Sequence, residues 1–481
     1  MTRCTALAIV VALWAAIYLP GLGSTELKGE EGRRILPALT MLETGNWLVP
    51  FIGGEPYLRK PPLVNWAIAG IFRLTGVRNE WTARLPSALC VLALGLAIVA
   101  LADGGGKARG WLDLETSLNA AIMAMTPFGL LAKAKFAGAE IEGIYAPLTG
   151  LAIVCWLAWH AQARSPWLVW GVPGILLGLA CLAKGPSLHL LYYYAIVVAV
   201  LWREKALRQL AHPAPLAGLA ICAAIFAAWA IPYFQTPEAA TAAAVWKRQG
   251  LDRFTESAFN LGNYLTNLPR ALGDLLPWVL VAAWVRWRGR QGGHIPIACS
   301  REFRAVAFAT GACFLLVLLI PGTLPRYVLP LGAPIALLLA DLLRRSASVA
   351  RPRRLVLGIA AGLASAMLAY AGLVVPRLQA REDLRPTARA IDARLSAGDV
   401  LTLHDPGYLA AIFYLRTPYR YAPRTADIPA DATWVLARGS ARQSLEKKRP
   451  DLAVVEIFRT KRSGELLLLQ PSGGIQKVPA R

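Results

Sequence analysis

The sequence predicts an all-α polytopic membrane protein that carries a small α/β domain at its C-terminal end. Of the 481 residues, 56% are hydrophobic and 17% are charged. With Gly counted and Tyr left out, the apolar share is about 62%, against about 45–50% in soluble domains. Long apolar runs recur as far as about residue 375, where the composition changes. A soluble enzyme, a disordered chain and a disulfide scaffold are therefore excluded.

Near-continuous apolar runs predict eleven membrane-spanning helices, with thirteen as the upper limit. A bilayer core of roughly 30 Å needs such runs in helical form. They cover roughly 5–22, 84–101, 117–132, 143–159, 167–183, 187–201, 215–231, 271–284, 305–320, 327–340 and 355–375. The first run lacks a small-x-small cleavage site, so we expect a retained anchor rather than a cleaved signal.

The net charge of +22 would suggest a nucleic-acid partner in a soluble protein. With the N-terminus in the cytoplasm, Lys and Arg make up roughly 23% of the inner segments and roughly 12% of the outer connections. The excess obeys the positive-inside rule. We therefore expect contact with anionic membrane lipids, no nucleic-acid partner, and a location in the cell inner membrane with a periplasmic C-terminal domain.

Two domains are predicted, a transmembrane domain over 1–376 and a periplasmic α/β domain over 377–481. Outer loop 23–83 contains two stretches with helical apolar spacing, 35–42 and 63–74, which suit helices in the membrane interface. In the tail, short apolar runs alternate with helical stretches. The runs are 399–403, 433–437, 452–458 and 465–469, and the helical stretches are 386–395, 407–415 and 440–447.

Ionisable residues gather at the predicted outer face. Glu140 and Glu142 stand at the mouth of the fourth span, where they either belong to a solvated loop or face a cavity. Lys184 and Arg326 lie between helices beside Gly or Pro. They are either snorkelling anchors or, together with Arg59 and Lys60, parts of an anion site.

The loop-1 strings Glu30–Arg33, Met41–Pro50 and Gly54–Leu63 resemble the first periplasmic loop of the lipid-linked-sugar glycosyltransferases of the GT-C fold. The nearest branch is the aminoarabinose (lipid A) transferase and protein O-mannosyltransferase-like group. Further matching strings are Ala83–Ser87, Leu182–Gly185 and Leu324–Pro330. The resemblance covers roughly residues 1–345 and implies a GT-C-like transmembrane domain.

The resemblance also implies roles for individual residues. Glu30 falls on the family Asp that engages the acceptor, and Glu142 falls on the second family acid. Lys60 falls on the Lys that contacts the donor phosphate. Arg59, Arg84 and Arg33 are candidate partners of Lys60 at the phosphate, and the supporting residues are Glu31, Lys184, Arg326 and Tyr327.

Two departures from the family pattern matter. Both family aspartates are glutamates here, which moves each carboxylate by about 1.5 Å, and such shifts can cost about 100-fold in rate. In the lipid A transferase relatives, a Glu before the Lys helps to hold a structural metal, whereas Arg59 occupies that position here. We therefore expect no metal, and no cofactor is implied.

The implied activity is transfer of a sugar from a polyprenyl-phosphate donor to a lipid or protein acceptor, with lipid A or another envelope glycolipid preferred. Protein O-glycosylation is an alternative. A non-catalytic binder of the lipid-linked sugar and a transporter are rivals of another class. At the residue level, Glu30 could instead be a surface acid paired with Arg33 or Arg34, and Lys60 an interfacial anchor.

Overall fold

The computed structural model describes residues 1–103, 112–251, 260–291, 303–320, 323–346, 349–461 and 464–472, with the side chains of 249–251 left out. Helices form the part of the chain before residue 400, and a five-stranded sheet forms near the C-terminal end. The predicted fold class, a helical membrane protein with a small C-terminal sheet domain, is confirmed.

The helices before the sheet include at least one on every predicted apolar run, and others that lie between the runs. They are α1 (Arg3–Tyr18), α2 (Gly32–Thr44), α3 (Leu63–Thr75), α4 (Glu80–Ala100), α5 (Leu114–Met125), α6 (Phe128–Leu131), α7 (Glu142–Ala161), α8 (Pro166–Lys184), α9 (Leu188–Arg203), α10 (Pro213–Phe234), α11 (Ala242–Leu251), α12 (Leu261–Asp274), α13 (Trp278–Gln291), α14 (Arg304–Leu319), α15 (Gly332–Arg345), α16 (Pro352–Ala369) and α17 (Val375–Gln379).

Within the described residues, six helical segments are long and apolar enough to cross a membrane. A bent pair, α12 with α13, makes a seventh if it is one span, and four shorter apolar helices accompany them. The chain is therefore a multi-pass membrane protein. The count of eleven spans stays a prediction.

Two predicted spans are interrupted at proline. The expected continuous helix over 271–284 is wrong, because α12 ends at Asp274 and α13 leaves at 86° to it after Pro277. The run 117–132 likewise divides at Pro127, between α5 and α6. Proline lacks the amide hydrogen that an uninterrupted helix needs and clashes with the preceding turn.

Helix α7 lies at the centre of the transmembrane part. Of its 20 residues, 16 are buried, and it packs against α4, α8 and α15. Small residues allow close approach elsewhere in the bundle: a Cβ on Gly174 of α8 would lie 2.3 Å from the carbonyl oxygen of Gly218 in α10. The central position of α7 matters because Glu142 is its first residue.

Outer loop 1 contains α2, α3 and a small hairpin of β1 (Phe51–Ile52) and β2 (Glu55–Pro56). The two helices predicted over 35–42 and 63–74 are confirmed as α2 and α3. Each ends at a left-handed glycine, Gly45 or Gly76, as helix C-termini commonly do. Their apolar faces pack on the outer ends of α7 and α8, in one cluster with part of the C-terminal sheet.

The C-terminal sheet has the strand order β4-β3-β5-β7-β6. Its strands are β3 (Leu401–His404), β4 (Tyr419–Ala422), β5 (Trp434–Arg438), β6 (Leu452–Thr460) and β7 (Gly464–Pro471), with α18 (Leu384–Asp392) and α19 (Arg442–Lys448) beside them. Strand β3 pairs in parallel with β4 and β5, whereas β7 is antiparallel to β5 and β6.

The prediction for this tail was right for four strands and for α18 and α19. It missed β4, whose Tyr-Arg-Tyr-Ala sequence shows no clear apolar alternation. The helix expected over 407–415 is wrong, because only the short 3-10 turn Ala410–Tyr414 forms there.

The tail is attached to loop 1 by buried polar contacts. The Glu26 carboxylate accepts hydrogen bonds from the backbone N–H groups of Leu384 (3.2 Å) and Arg385 (2.6 Å) and so caps the first turn of α18. The Arg385 side chain also pairs with Glu80 at the start of α4. Loop 1 therefore lies between the helical bundle and the C-terminal sheet.

Candidate active site at the outer face

Glu142, the first residue of α7, is the anchor of a buried charge cluster. Its carboxylate lies 3.2 Å from Lys184 Nζ and 3.4 Å from Arg326 Nε. Lys184 ends α8, and Arg326 lies on the 3-10 turn Pro325–Leu331. The Glu142 side chain is only 5% exposed. Because a carboxylate removed from water is costly when it is unpaired, the two cations are needed to stabilise its charge. Three segments distant in sequence therefore meet at one carboxylate.

Glu140 extends the same cluster toward the preceding turn. One oxygen of its carboxylate lies 3.0 Å from Lys133 Nζ, and the other lies 3.7 Å from Arg326 Nη1. Burial raises the pKa of Glu140 above its ordinary value, and Lys133 opposes that shift. Both acids are buried, so the structure does not agree with a solvated loop at this position.

Two tyrosine rings enclose the Lys184 ammonium. Its Nζ lies 4.6 Å from the ring centroid of Tyr145 and 4.5 Å from that of Tyr327. Cation–π attraction of this kind grows when the cation is shielded from water. Tyr327 was singled out from the sequence, whereas Tyr145 was missed. Its spacing of three residues from Glu142, on the same face of α7, was the available signal.

Glu30 and Arg33 form an ion pair at the start of α2. The side chains are 38% and 21% exposed, so this pair is far wetter than the cluster around Glu142. The contact has the helical spacing that the sequence offered as the alternative to a catalytic role. Because the Glu30 carboxylate is exposed, an incoming hydroxyl group can reach it.

Arg84 is held entirely within the protein. Its guanidinium donates two bonds to the Glu31 carboxylate, at 2.8 and 2.9 Å. The remaining N–H groups donate to the backbone carbonyls of Leu22, Thr25 and Glu26 at 2.8 to 3.1 Å. All five donors have partners, and the side chain is 1% exposed. Arg84 therefore does not fit the predicted role of phosphate ligand.

Glu31 joins loop 1 to the turn that carries the second acid pair. Besides Arg84, its carboxylate accepts hydrogen bonds from the backbone N–H groups of Lys28 (2.8 Å) and Ala139 (3.2 Å). Ala139 directly precedes Glu140. The Glu30 segment and the Glu140–Glu142 segment, more than a hundred residues apart in sequence, are therefore adjacent in the fold.

Arg59 and Lys60 lie on the loop that leads into α3. Arg59 is exposed and Lys60 is half-buried. The preceding carbonyl, that of Leu58, accepts a 2.6 Å hydrogen bond from the Trp246 indole. Leu58 and Leu63 belong to one apolar cluster with Leu182, two residues before Lys184. The loop thus adjoins the outer end of α8.

The structure joins four predicted site residues in one cluster, in which Glu142 contacts Lys184 and Arg326, and Lys184 contacts the ring of Tyr327. Lys184 and Arg326 both lie against the Glu142 carboxylate, which offsets part of their positive charge. Among the described residues, no three His, Cys, Asp or Glu side chains are grouped so that they could hold a metal ion.

The comparisons with known proteins agree with the resemblance seen in the sequence. Residues 59–231 match the family described as dolichyl-phosphate-mannose-protein mannosyltransferase. Proteins named undecaprenyl phosphate-alpha-4-amino-4-deoxy-L-arabinose arabinosyl transferase are also similar. The one from Pseudomonas savastanoi pv. phaseolicola is 27% identical in an alignment of 378 positions that covers 76% of this chain and 66% of that protein.

Other relatives with this name differ in how far the chain spans them. A Pseudomonas aeruginosa protein is 27% identical in an alignment of 487 positions, gaps included, that covers 95% of this chain and 80% of the relative. The Erwinia tasmaniensis protein is 28% identical, with 70% of this chain covered. The chain spans only 59% of that relative and 66% of the one from Pseudomonas savastanoi, which is less than two thirds of either.

Two solved structures of ArnT from Cupriavidus metallidurans have the same fold. The apo structure matches with a TM-score of 0.65 and 14% identity, and the structure bound to undecaprenyl phosphate with 0.66 and 16%. Each match covers 97% of both chains. The predicted resemblance is confirmed: the chain is a multi-pass membrane protein with the GT-C fold, and its sequence is similar to those of the aminoarabinose transferases.

Proposed function

We propose that the chain is an integral membrane glycosyltransferase that moves a sugar from a polyprenyl-phosphate donor to an acceptor on the periplasmic side. The observation that carries the proposal is the meeting of the Glu30 segment with the buried Glu142 cluster, through the Glu31–Ala139 hydrogen bond. The names of the relatives, which specify undecaprenyl phosphate-linked aminoarabinose, support this donor class.

The donor phosphate is assigned to the cations of loop 1. Substitution at the anomeric carbon leaves negative charge on the departing lipid phosphate, and positioned cations stabilise such charge best where water is scarce. Lys60 supplies that charge, with Arg59 and Arg33 as partners. Lys184 and Arg326, held by Glu142, add positive charge at the adjoining end of α8.

Glu30 is assigned to the acceptor. Its carboxylate accepts the hydroxyl proton as the new bond forms, or orients an acceptor that is already an anionic phosphate. Arg33 pairs with this carboxylate and so fixes its orientation. One carboxylate beside the nucleophile fits inversion by a single displacement.

The acceptor of first choice is lipid A or another envelope glycolipid, and a protein hydroxyl is the alternative. The proposed location is the cell inner membrane, with the N-terminus in the cytoplasm and the C-terminal domain in the periplasm. The excess of Lys and Arg in the inner segments supports this orientation.

The assignment is tested by sugar transfer in membrane vesicles from a labelled polyprenyl-phosphate donor, with lipid A and periplasmic protein as separate acceptors. We expect Glu30→Gln and Lys60→Ala each to reduce transfer by about 100-fold or more. The matched controls are Glu55→Gln and Arg73→Ala, an exposed acid and an exposed cation of the same loop. Near wild-type transfer by both Glu30→Gln and Lys60→Ala overturns the assignment.

The Asp position of the family supplies a second test. Glu30→Asp restores the family residue, and a loss of transfer would indicate a pocket adapted to the longer side chain. Donor binding without transfer in the wild type, in Glu30→Asp and with every acceptor would favour a non-catalytic binder instead.

A further inference from the structure

A loop of the C-terminal domain contacts the Arg33 side of the Glu30–Arg33 ion pair. The guanidinium carbon of Arg33 lies 4.2 Å from the centroid of the Tyr408 ring. The backbone oxygen of Tyr408 lies 3.0 Å from the position that a Cβ on Gly32 would occupy. The tail thus touches the first turn of α2 directly, through a ring on one side and a carbonyl on the other.

This tail loop, Asp405–Leu409, is shaped from within its own domain. Arg438 at the end of β5 donates to the Asp405 carbonyl oxygen (2.8 Å) and to its carboxylate (2.9 Å). Asp405 has a φ of +41°, a backbone conformation that is uncommon for residues other than glycine. The loop therefore presents Tyr408 to loop 1 in a fixed conformation.

The same tail loop also touches the hairpin of loop 1. A Cβ on Gly53 would lie 2.9 Å from the carbonyl oxygen of Gly407. Gly32 is the first residue of α2, and Gly53 lies in the hairpin turn. The tail loop therefore contacts loop 1 at two separate places. A side chain at the end of such a doubly attached loop can fix the orientation of its partner.

We propose that Tyr408 is a positioning residue of the active site, which holds the Arg33 guanidinium against Glu30. Arg33 is a long side chain with many rotamers, and the ring restricts those rotamers to the ones that meet the Glu30 carboxylate. This inference rests on the proposed role of Glu30. It gives the C-terminal domain a part in catalysis, because the bundle and loop 1 supply the reacting groups while the tail orients one of them.

The test compares Tyr408→Leu with Tyr408→Phe in the transfer assay. We expect Tyr408→Leu to lower kcat by about fivefold, while KM for the donor changes by less than about twofold. Tyr408→Phe keeps the ring and rescues kcat. Ile457→Ala, which removes an equally exposed apolar side chain from the same domain, is the control for general destabilisation.

A double-mutant cycle tests the route of the effect. If Tyr408 acts through Arg33, then Tyr408→Leu has no further effect in an Arg33→Met background. Additive losses would overturn the inference, because they would show that the ring acts on something other than Arg33. Equal kcat for Tyr408→Leu and wild type would overturn it as well.

Hydrogen exchange separates a failure of this inference from a failure of the proposed function. In the full-length protein, we expect Tyr408→Leu to speed amide exchange over residues 28–36, with Tyr408→Phe unchanged. This readout needs no sugar transfer. Unchanged exchange in Tyr408→Leu overturns the positioning role, whereas absence of transfer in wild type, with the exchange result as expected, overturns only the proposed function.

Discussion

At the scale of single residues, the ion pair Glu31–Arg84 shows how this protein tolerates charge in its interior. The two side chains are 0% and 1% exposed, and every donor of Arg84 has an acceptor. A buried pair adds little net stability, yet removal of one partner leaves a costly unpaired charge. The pair therefore attaches loop 1 to α4.

Arg84→Met is expected to destabilise the protein by about 3–5 kcal/mol, because it leaves the Glu31 carboxylate buried with only backbone donors. The measurement is the unfolding midpoint in detergent. Arg73→Met, at an exposed position of α3, is the matched control and should change stability by less than about 0.5 kcal/mol.

The double variant Glu31→Gln/Arg84→Met should recover part of the loss from Arg84→Met, since the amide carries no charge. An unfolding midpoint for Arg84→Met equal to that of the Arg73→Met control would contradict the role of the pair in attaching loop 1 to α4.

Some contacts of single residues could be predicted from the sequence pattern, and others could not. The Glu30–Arg33 contact follows from helical spacing and was foreseen as an alternative. That Lys184 and Arg326 would meet the same carboxylate could not be read from the chain, because 142 residues separate the two cations. Arg84 was misassigned for the same reason: its partners come from a loop some sixty residues earlier.

At the scale of elements, the hairpin of loop 1 is held against the tail by the close approach of Gly54. A Cβ at Gly54 would lie 2.7 Å from Tyr421 Cβ and 2.9 Å from Pro423 Cγ. Gly54 also has a φ of +85°, in the left-handed region that favours glycine. Both conditions select glycine at this turn.

Gly54→Ala should lower the thermal midpoint by more than Gly45→Ala does. Gly45 has a similar φ of +73° but nothing within 4 Å of its added Cβ, so it reports backbone strain without the clash. Tryptophan fluorescence during thermal unfolding in detergent is the measurement. Equal midpoints for the two variants would indicate that the hairpin and tail separate without cost.

Apolar runs located the helices well, because a membrane core imposes helical hydrogen bonding on any long apolar segment. They could not show where a run bends. The 86° turn between α12 and α13 depends on Pro277 and on what the two halves pack against. Likewise β4 was missed, because its pairing with β3, and not its own composition, makes it a strand.

At the scale of the whole molecule, the uneven distribution of Lys and Arg between the two sides of the membrane predicts the topology. The segments assigned to the inner side in the proposed topology are enriched in Lys and Arg. The C-terminal domain contacts loop 1 through Glu26 and Arg385. If loop 1 faces the periplasm, the C-terminal domain must do so too. The orientation of the two parts can therefore be tested together.

Cysteine labelling tests this orientation in a background free of native cysteines. We expect a membrane-impermeant maleimide to label Ser444→Cys, on the exposed surface of α19, in intact spheroplasts. Gln209→Cys, in the exposed segment after α9, should react only after permeabilisation. The reverse pattern would contradict the proposed topology and place the candidate site in the cytoplasm.

The sequence by itself determined the membrane class, most helices, the small tail sheet and the family resemblance, because these depend on local composition, periodicity and short strings. Only the tertiary structure decided which charged residues meet. The contacts of Glu142 with two distant cations, of Glu31 with Arg84, and of Arg33 with the Tyr408 ring join segments far apart in the chain. Burial makes such pairs necessary, since a desolvated charge must find a partner, but the identity of the partner depends on how the helices, loop 1 and the tail pack together.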